Sequence, residues 1–360
     1  MTDSNEIRWH RHRFNSNLSW RLILAIVPRV PFFLRPPIQF VTTLLCITAM
    51  PLERKAAGRN LRRVTGRSGA AAAIGVFRLF YNFSKFMVTY VDLPPFGKGF
   101  SRERVHGRDD AYAAFGAEIA RGSGLILLGM HLGQWDLALV ELARAGIPVT
   151  VVMRREDEEA AKFAAAVRAA AGLRVVYARE DPFMMVELLA TLRRGGVVAM
   201  QGDRAFGDRS ARVNLFGEST EIPTGPWDLA RASGAPIIPA AFIFEEHRCC
   251  RVIIGEPIRV DPGQGESSRG ESGKVESGLD DSAKLAAPGA SAPSEAPNRR
   301  RSDGPQRLAA AMEAMIAAHA DQWFNFYDVW PDGAAKSAPA KPGDAARRLS
   351  LSRAEEEPHA

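Results

Sequence analysis

Short apolar runs alternate with longer, partly polar stretches through the middle of this chain. Four of the runs have the length and composition of buried strands: GLILLGM from residue 124, PVTVVM from 148, LRVVYA from 173 and GVVAMQGD from 196. The stretches between them have helical periodicity and close at Gly146, Gly172 and Gly195. Strands separated by helices of this length indicate parallel pairing. The pattern therefore predicts an α/β layered fold with a mostly parallel central sheet flanked by helices.

Further elements are predicted on either side of this core. Residues 52–68 and 69–90 have the pattern of helices, and the second is strongly apolar. The runs IIPAAFIF (237–244) and CRVIIGEPIRV (250–260) add two strands. Residues 306–324 return to a helical pattern.

Composition divides the chain into five parts. Residues 262–305 are rich in Gly, Ser, Pro, Ala and charge and contain no aromatic residue. Such a segment cannot bury enough apolar surface to offset its ordering entropy, so we expect a disordered insert. The five predicted parts are a flexible N-terminus (1–14), a membrane-associated helical segment (15–68), the main α/β domain (69–261 plus 306–332), the insert (262–305) and a disordered tail (333–360).

The basic excess of the chain lies near its N-terminus. The net charge is +6, and residues 8–67 contain many Lys and Arg but only one acidic residue, Glu53. The neighbouring residues 18–50 are apolar, with aromatic side chains among arginines, and their longest run, Ile38–Met50, is shorter than the ~20 residues that cross a bilayer. This combination favours attachment at the membrane interface, with an apolar hairpin packed on its own domain as the alternative. We expect no secretory signal and no nucleic-acid partner, since neither a cleavage site nor a binding motif accompanies the charge.

The overall composition excludes several classes of site. The 360 residues are 46% hydrophobic and 24% charged, which is ordinary for a globular protein of one large or two modest domains. Cys46, Cys249 and Cys250 have neither C-x-x-C nor metal-ligand spacing, so we expect reduced thiols and no metal. The glycine-rich pieces lack nucleotide-binding spacing, so we expect no nucleotide cofactor.

The stretch GMHLGQWDLAL, residues 129–139, contains the strongest candidate chemistry. His131 follows a predicted strand, and Asp136 comes five residues later. A histidine and a carboxylate within hydrogen-bond reach form a general base and the group that orients it, and chance proximity is the alternative. Residues five apart lie roughly 140° from each other on one helix, so we expect His131 before the helix and Asp136 in its first turn. Asp203 also follows a strand, at the end where functional residues collect in open α/β sheets.

Four blocks now carry a resemblance to a known family. HLGQWD, VVAMQGDRAF, VNLFGESTEIPTGPWDLARASGAPIIPA and DQWFNFYDVW occur in the order seen in bacterial lipid A late acyltransferases. These are lauroyl and myristoyl transferases within the glycerolipid-type acyltransferase superfamily, and the block PLERKAAGRNLRRV resembles their basic segment. The resemblance covers residues 15–330 apart from the insert. The blocks are also similar to acyltransferases of other bacterial glycolipids, such as mannosides of phosphatidylinositol. Asp203-Arg204 stands where lipid A enzymes usually have Asp-Gln, which leaves the acceptor open.

The resemblance implies an O-acyltransferase with a glycerolipid-acyltransferase-like fold and with His131 and Asp136 as the catalytic pair. No G-x-S-x-G elbow is present, which favours direct attack on a thioester without an acyl-enzyme. Nine further residues are implied in oxyanion or substrate binding: Gly133, Arg154, Arg168, Asp203, Arg204, Phe216, Gly217, Thr224 and Gly225.

Structural roles stay open for most of these nine residues. Backbone N–H groups near Gly133 are candidate oxyanion donors, and Arg204 is a candidate ligand for an acceptor phosphate. The alternatives are an ion-pair network in the loop 203–209 and a tight turn at Phe216-Gly217. Trp323, like Trp330, is expected to be a core or interface anchor.

The resemblance also implies substrates, partners and a location. The expected donor is acyl carrier protein, an acidic partner that basic patches attract, with acyl-CoA as the alternative. The expected acceptor is a hydroxyl of a lipid A precursor or a related glycolipid, with a phosphatidylinositol mannoside or a lysophospholipid as alternatives. A silent lipid-binding protein is a third hypothesis, against which the presence of His131 and Asp136 argues. We expect a peripheral, monotopic protein on the cytoplasmic face of the inner membrane, in contact with the phospholipid surface, and no cofactor.

Overall fold

A computed structural model of the protein describes residue 23 and residues 25–97, 105–154, 159–178, 183–205, 209–245, 249–260 and 296–330. The predicted flexible N-terminus (1–14), the predicted tail (333–360) and most of the predicted insert (262–295) lie outside the described residues.

The described residues form helices and strands that largely match the hydrophobic pattern. The helices are α1 (Arg35–Ala49), α2 (Pro51–Thr65), α3 (Gly69–Asp92), α4 (Arg108–Ala120), α5 (Trp135–Arg144), α6 (Glu159–Ala170), α7 (Met184–Arg193), α8 (Gly225–Ser233) and α9 (Ala296–Ala318). The strands are β1 (Val105–His106), β2 (Leu125–Gly129), β3 (Val149–Met153), β4 (Arg174–Tyr177), β5 (Val197–Gln201), β6 (Ser210–Leu215), β7 (Glu218–Pro223), β8 (Ile237–Phe244) and β9 (Cys250–Ile254).

A seven-stranded sheet forms the centre of the fold, in the order β1-β9-β8-β2-β5-β3-β4. Its neighbouring strands pair in parallel except β8 and β9, which are antiparallel. The strands alternate with helices along the chain from β2 to β5. This arrangement confirms the predicted α/β fold with a mostly parallel central sheet.

Strand β2 shows why the apolar runs are continuous rather than alternating. Ile126 and Leu128 belong to a core cluster that includes side chains of α7, α8 and α9. Leu125 and Leu127 belong to a second cluster that includes side chains of α4 and α5. Because successive strand residues point to opposite faces, a strand covered on both faces must be apolar at every position.

The N-terminal helices pack on the domain by one side and leave the other side exposed. Arg35 forms an ion pair with Asp92, and the Phe40 ring contacts the Phe77 ring 5.1 Å away, so α1 lies against α3. Among the described residues, one helical stretch, Phe32–Ala49, is long and apolar enough to span a membrane, and little of it is buried. The N-terminal segment therefore combines features of both predicted alternatives. It packs on the domain through α1, and it also exposes apolar side chains.

Several parts of the fold were not predicted. Residues 210–223 form the hairpin β6–β7, which is separate from the main sheet, and helices α4 and α8 carry no strong signal in the pattern. The C-terminal helix begins at Ala296, ten residues before its predicted start, so the predicted insert is too long at its C-terminal end. The side chain of Trp227 occupies the space beside Gly304, which ties this end of the predicted insert to α8.

Candidate active site

His131 lies where the sequence placed it, between a strand and a helix. Strand β2 ends at Gly129 and α5 begins at Trp135, with Asp136 in its first turn. The backbone between these elements pairs with the C-terminal segment: the N–H of Phe324 donates to the carbonyl of His131 at 2.8 Å, and the N–H of Gly133 donates to the carbonyl of Gln322 at 2.9 Å. These two bonds fix the position of the histidine independently of its ring.

The carboxylate that orients the His131 ring belongs to Asp203. Its Oδ1 lies 2.8 Å from His131 Nδ1, and its Oδ2 accepts the backbone N–H of His131 at 3.0 Å. Asp203 follows β5, which pairs with β2 so that Gln201 stands opposite Gly129. An ionised carboxylate only accepts hydrogen bonds, so Nδ1 carries the proton and Nε2 carries the lone pair.

The surroundings keep this histidine neutral. Burial, together with the positive charge of Arg204, lowers the pKa of His131, although the carboxylates of Asp203 and Asp136 oppose that shift. Burial by itself raises the pKa of Asp203, but the hydrogen bonds that it accepts from His131 and Trp323, together with the positive charge of Arg204, hold that pKa well below its usual range. The pair is thus a neutral imidazole against an ionised carboxylate, which is the resting state of a general base and its orienting group.

Asp136 has a different partner from the one predicted. Its Oδ1 lies 2.6 Å from Nε of Arg168 and its Oδ2 lies 3.0 Å from Nη2, which makes a buried bidentate ion pair. The hydroxyl of Tyr90 also donates to Asp136. The predicted hydrogen bond between Asp136 and His131 is therefore corrected: Asp203 orients the ring, and Asp136 acts on it only through its charge. The five-residue spacing does place Asp136 near His131. In the first turn of α5, however, the Asp136 carboxylate points toward Arg168 of α6 and Tyr90 of α3.

Arg204 is held by the protein itself. Its Nε donates to Oδ1 of Asn325 and its Nη2 to the carbonyl of Phe324, each at 2.7 Å. Its guanidinium lies 5.6 Å from the ring centre of Tyr327, whose pKa is raised by burial so that the ring stays neutral. These contacts join Arg204 to the C-terminal segment. They differ from both predicted roles, which were a ligand for an acceptor phosphate and an ion pair within the loop 203–209.

The predicted oxyanion donors at the HLG stretch are already in use. The N–H of Gly133 donates to Gln322, and that of Gln134 donates to the carbonyl of Phe242 at 2.7 Å. Gly133 has φ of +63°, and a Cβ at this position would collide with the carbonyl oxygen of Phe242. The glycine is therefore required by the close approach of two backbones, and the expected oxyanion role is corrected.

The remaining predicted residues lie around β5 and the hairpin or at a neighbouring strand end. Phe216 and Gly217 have φ of 53° and 80° and form the two-residue turn of β6–β7, so the tight-turn alternative describes them. Thr224 is the N-cap residue of α8 and Gly225 begins the helix, with Met200 of β5 packed 3.1 Å from where a Cβ would stand. Arg154 follows β3 and is exposed. No described contact brings these five residues to the His131 ring.

Three residues of the site were not predicted to have such a role. Trp323, expected only as an anchor, donates from its indole Nε1 to Asp203 Oδ2 at 2.9 Å. The amide Nδ2 of Asn325 lies 3.4 Å from the same oxygen, and Tyr90 bonds Asp136. For Trp323 and Asn325 the only signal was the block DQWFNFYDVW, because nothing in a sequence states which loop a distant tryptophan contacts. Tyr90 lies outside this block and had no signal.

Comparison with known proteins agrees with the resemblance. A family profile described as "Bacterial lipid A biosynthesis acyltransferase" matches residues 16–268. The chain is 32% identical over 133 residues to a "Phosphatidylinositol mannoside acyltransferase" of Mycobacterium tuberculosis (strain CDC 1551 / Oshkosh), covering 36% of this chain and 42% of the relative. It is 28% identical over 192 residues to the protein so named in Mycolicibacterium smegmatis (strain ATCC 700084 / mc(2)155), covering 52% of this chain and 62% of the relative.

The chain therefore spans about half the length of the curated relatives that it matches. The profile, in contrast, covers more than half of the chain and includes His131, Asp136, Asp203 and Arg204. On this match, together with the α/β fold and the His131 site, the chain belongs to the bacterial lipid A biosynthesis acyltransferase family.

Proposed function

We propose that this protein is an O-acyltransferase that moves a fatty acyl chain from a thioester to a hydroxyl of a glycolipid. The observation that carries the proposal is the 2.8 Å contact between His131 Nδ1 and Asp203 Oδ1, with Nε2 left without a hydrogen bond from any residue in the described ranges. The His131 side chain is buried but keeps 10% of its surface exposed, and we propose that Nε2 is the atom that meets the substrate hydroxyl.

The chemistry follows from this arrangement. As the acceptor oxygen attacks the thioester carbonyl, Nε2 of His131 takes the hydroxyl proton, because a hydroxyl is a weak nucleophile until its proton leaves. The C–S bond then breaks, and the imidazolium returns the proton to the thiolate that departs. Asp203 stabilises the imidazolium in between, since its ionised carboxylate accepts the Nδ1–H. No side chain forms a covalent intermediate.

The comparisons support two candidate classes of acceptor. The family description favours a lipid A precursor. The named relatives favour a phosphatidylinositol mannoside. Both are lipids that present sugar hydroxyls, and we propose that shared chemistry as the acceptor class. A lysophospholipid is the third candidate, and acyl carrier protein and acyl-CoA are the candidate donors.

We further propose that α1 holds the protein on the surface of a membrane, on the cytoplasmic face where acyl thioesters are made. The supporting observation is a set of exposed apolar side chains on α1 and on the turn that precedes it: Phe32, Phe33, Ile38, Val41, Leu44 and Leu45. Arginine and lysine side chains of α2, among them Lys55 and Arg62, are exposed next to it in the chain, as expected beside anionic headgroups.

Turnover by the purified full-length protein tests the activity. Acyl carrier protein and coenzyme A thioesters are each offered with a lipid A precursor, a phosphatidylinositol mannoside and a lysophospholipid, and products are identified by mass spectrometry. His131→Ala should lower the rate by about 10²–10⁴-fold or more, because it removes the base. His319→Ala, at a half-buried histidine with no described contact to Asp203, should retain the wild-type rate. Transfer by His131→Ala at the wild-type rate would contradict the mechanism.

Vesicle binding tests the membrane surface separately. Val41→Glu with Leu45→Glu should release the protein from anionic vesicles, because these side chains are 55% and 62% exposed and lie one helical turn apart. Val186→Glu, at an equally exposed valine of α7, is the matched control and should still bind. Equal binding by all three proteins would contradict the assignment of α1.

A further inference from the structure

Three hydrogen-bond donors meet at one oxygen of Asp203. Oδ2 accepts the backbone N–H of His131 at 3.0 Å, the indole N–H of Trp323 at 2.9 Å and the amide of Asn325 at 3.4 Å. Within the described part of the chain, Oδ1 accepts a hydrogen bond only from the His131 ring. The two oxygens of this buried carboxylate are therefore not equivalent, since one is occupied by fixed donors and the other faces the base.

Two of these donors come from one short segment far along the chain. We name Trp323–Asn325 the C-terminal clamp. The clamp is attached to the histidine loop by the backbone bond from Phe324 to His131. Arg204, the residue after Asp203, binds both Oδ1 of Asn325 and the carbonyl of Phe324. Because Arg204 can only donate, Oδ1 of Asn325 must be the acceptor and its Nδ2 is turned toward Asp203.

The clamp is itself rigid. Trp323 and Phe324 are buried, and the carbonyls of Asn325 and Tyr327 accept the amide of buried Asn60 in α2 at 3.0 Å and 2.7 Å. The ring of Trp323 packs on Trp330 with centroids 6.1 Å apart. The indole N–H of Trp323 therefore cannot move with Asp203. If the carboxylate rotated, Oδ2 would lose the hydrogen bond from Trp323.

We propose that Trp323 is a positioning residue for proton transfer, and that its indole N–H fixes Asp203 so that Oδ1 faces His131 Nδ1. The inference rests on the proposed function, and it adds a residue outside the HLGQWD box to the catalytic arrangement. Through Asp203, Trp323 sets the orientation of the His131 ring. It also sets how strongly the negative charge of the carboxylate stabilises the protonated ring.

Loss of the indole N–H should have two consequences. The carboxylate should rotate more freely, so the turnover number should fall, on the order of tenfold for one hydrogen bond to a charged group. The carboxylate charge, no longer shared with Trp323, should also stabilise the protonated ring more strongly. The pKa of His131 should then rise, because the other charged groups that face the ring, Arg204 and Asp136, are unchanged. The acid limb of the pH profile should therefore move to higher pH.

The test compares Trp323→Phe with Trp330→Phe in the full-length protein. Trp330 is also buried and also donates from its indole, but to the carbonyl of Leu215 at 3.2 Å. Both variants remove one buried indole N–H from the same aromatic cluster. We expect Trp323→Phe to lower kcat about tenfold and to shift the acid limb of kcat/KM upward. Trp330→Phe keeps an aromatic ring against Trp323 and removes no donor from Asp203, so it should change neither kcat nor the acid limb. Thermal unfolding of both variants controls for the loss of packing.

A second arm uses the Asp203→Asn background. If Trp323 acts through Asp203, adding Trp323→Phe to Asp203→Asn should cause little further loss of kcat. Equal losses in both backgrounds, or an unmoved acid limb in Trp323→Phe, would overturn the inference. An inactive wild type, or an active His131→Ala, would instead overturn the proposed function, so the two failures are distinguishable.

A spectroscopic arm covers the case in which Trp323→Phe does not fold. In protein labelled with 15N-tryptophan, Asp203→Asn should displace one indole N–H resonance upfield, since an amide oxygen is a weaker acceptor than a carboxylate. The resonance that disappears in Trp330→Phe should stay in place. If no indole resonance moves in Asp203→Asn, the contact on which the inference depends does not exist in solution.

Discussion

Two buried aspartates influence His131, and they bond different partners. Asp136 shares its carboxylate with Arg168 and Tyr90, so it joins three helices, α5, α6 and α3. Asp203 shares its carboxylate with the His131 ring and the C-terminal clamp. Both residues have almost no exposed surface. The comparison shows that the carboxylate nearest to His131 in sequence joins helices, while the carboxylate brought in by the sheet bonds the His131 ring.

The difference has a geometric origin. Asp136 lies in the first turn of α5, and its side chain reaches the neighbouring helix, where a guanidinium offers two parallel donors. Asp203 lies at the end of β5, whose parallel pairing with β2 sets it beside the loop that carries His131. In an open α/β sheet, adjacent strand ends bring together residues that are distant in sequence.

The largest expected effect concerns turnover. Asp203→Asn should lower kcat by about 10²–10⁴-fold, because the amide no longer holds the reactive tautomer or stabilises the imidazolium. Asp136→Asn should lower the rate per folded molecule much less. Steady-state kinetics of both variants, corrected for the folded fraction, measures the contrast. A greater loss in Asp136→Asn would reverse the assignment of the two carboxylates.

The next effect concerns stability, and here Asp136 is expected to matter more than Asp203. Asp136→Asn should lower the free energy of unfolding by about 3–5 kcal/mol, because Arg168 would remain as a buried charge without its counter-charge. Denaturant unfolding of the detergent-solubilised protein gives the value. The double variant Asp136→Asn with Arg168→Gln should be more stable than Asp136→Asn alone, since it also removes the stranded charge. If the two are equally unstable, the ion pair is not the source of the loss.

The smallest expected effect is a dependence of stability on pH. The pKa of His131 is lowered in the folded state, so the unfolded chain binds a proton more readily. The stabilising contribution is present above the ordinary histidine value of about 6.5 and is lost as pH falls through the folded pKa. Thermal unfolding between about pH 7 and pH 5 should therefore be steeper in wild type than in His131→Gln. His319→Gln is the control that separates this contribution from the lowered pKa of His319. Parallel curves for wild type and His131→Gln would show that the buried His131 ring is not the source of the dependence.

Much of the fold is readable from the pattern of apolar residues. The strands from β2 to β5, with β8 and β9, lie within the predicted runs, because a strand buried on both faces must be apolar throughout. The hairpin β6–β7 was not predicted, although burial alternates along both of its strands and Val213, Leu215 and Ile222 join the main core. Its turn uses Phe216, a residue that seldom adopts positive φ and so gives no turn signal. The helix start at Ala296 was missed because it lies in a stretch whose composition resembles disorder.

The sequence by itself determined the family, the layered fold and the position of His131 between a strand and a helix. These depend on local order along the chain: a block motif, a hydrophobic period, a strand followed by a helix. Only the tertiary structure decided which carboxylate the histidine contacts and which residues fix that carboxylate. The order of strands in the sheet is a long-range property, and 72 residues separate His131 from Asp203, while 120 separate Asp203 from Trp323. Hydrogen bonds across such distances are set by packing of whole elements, and no local spacing encodes them.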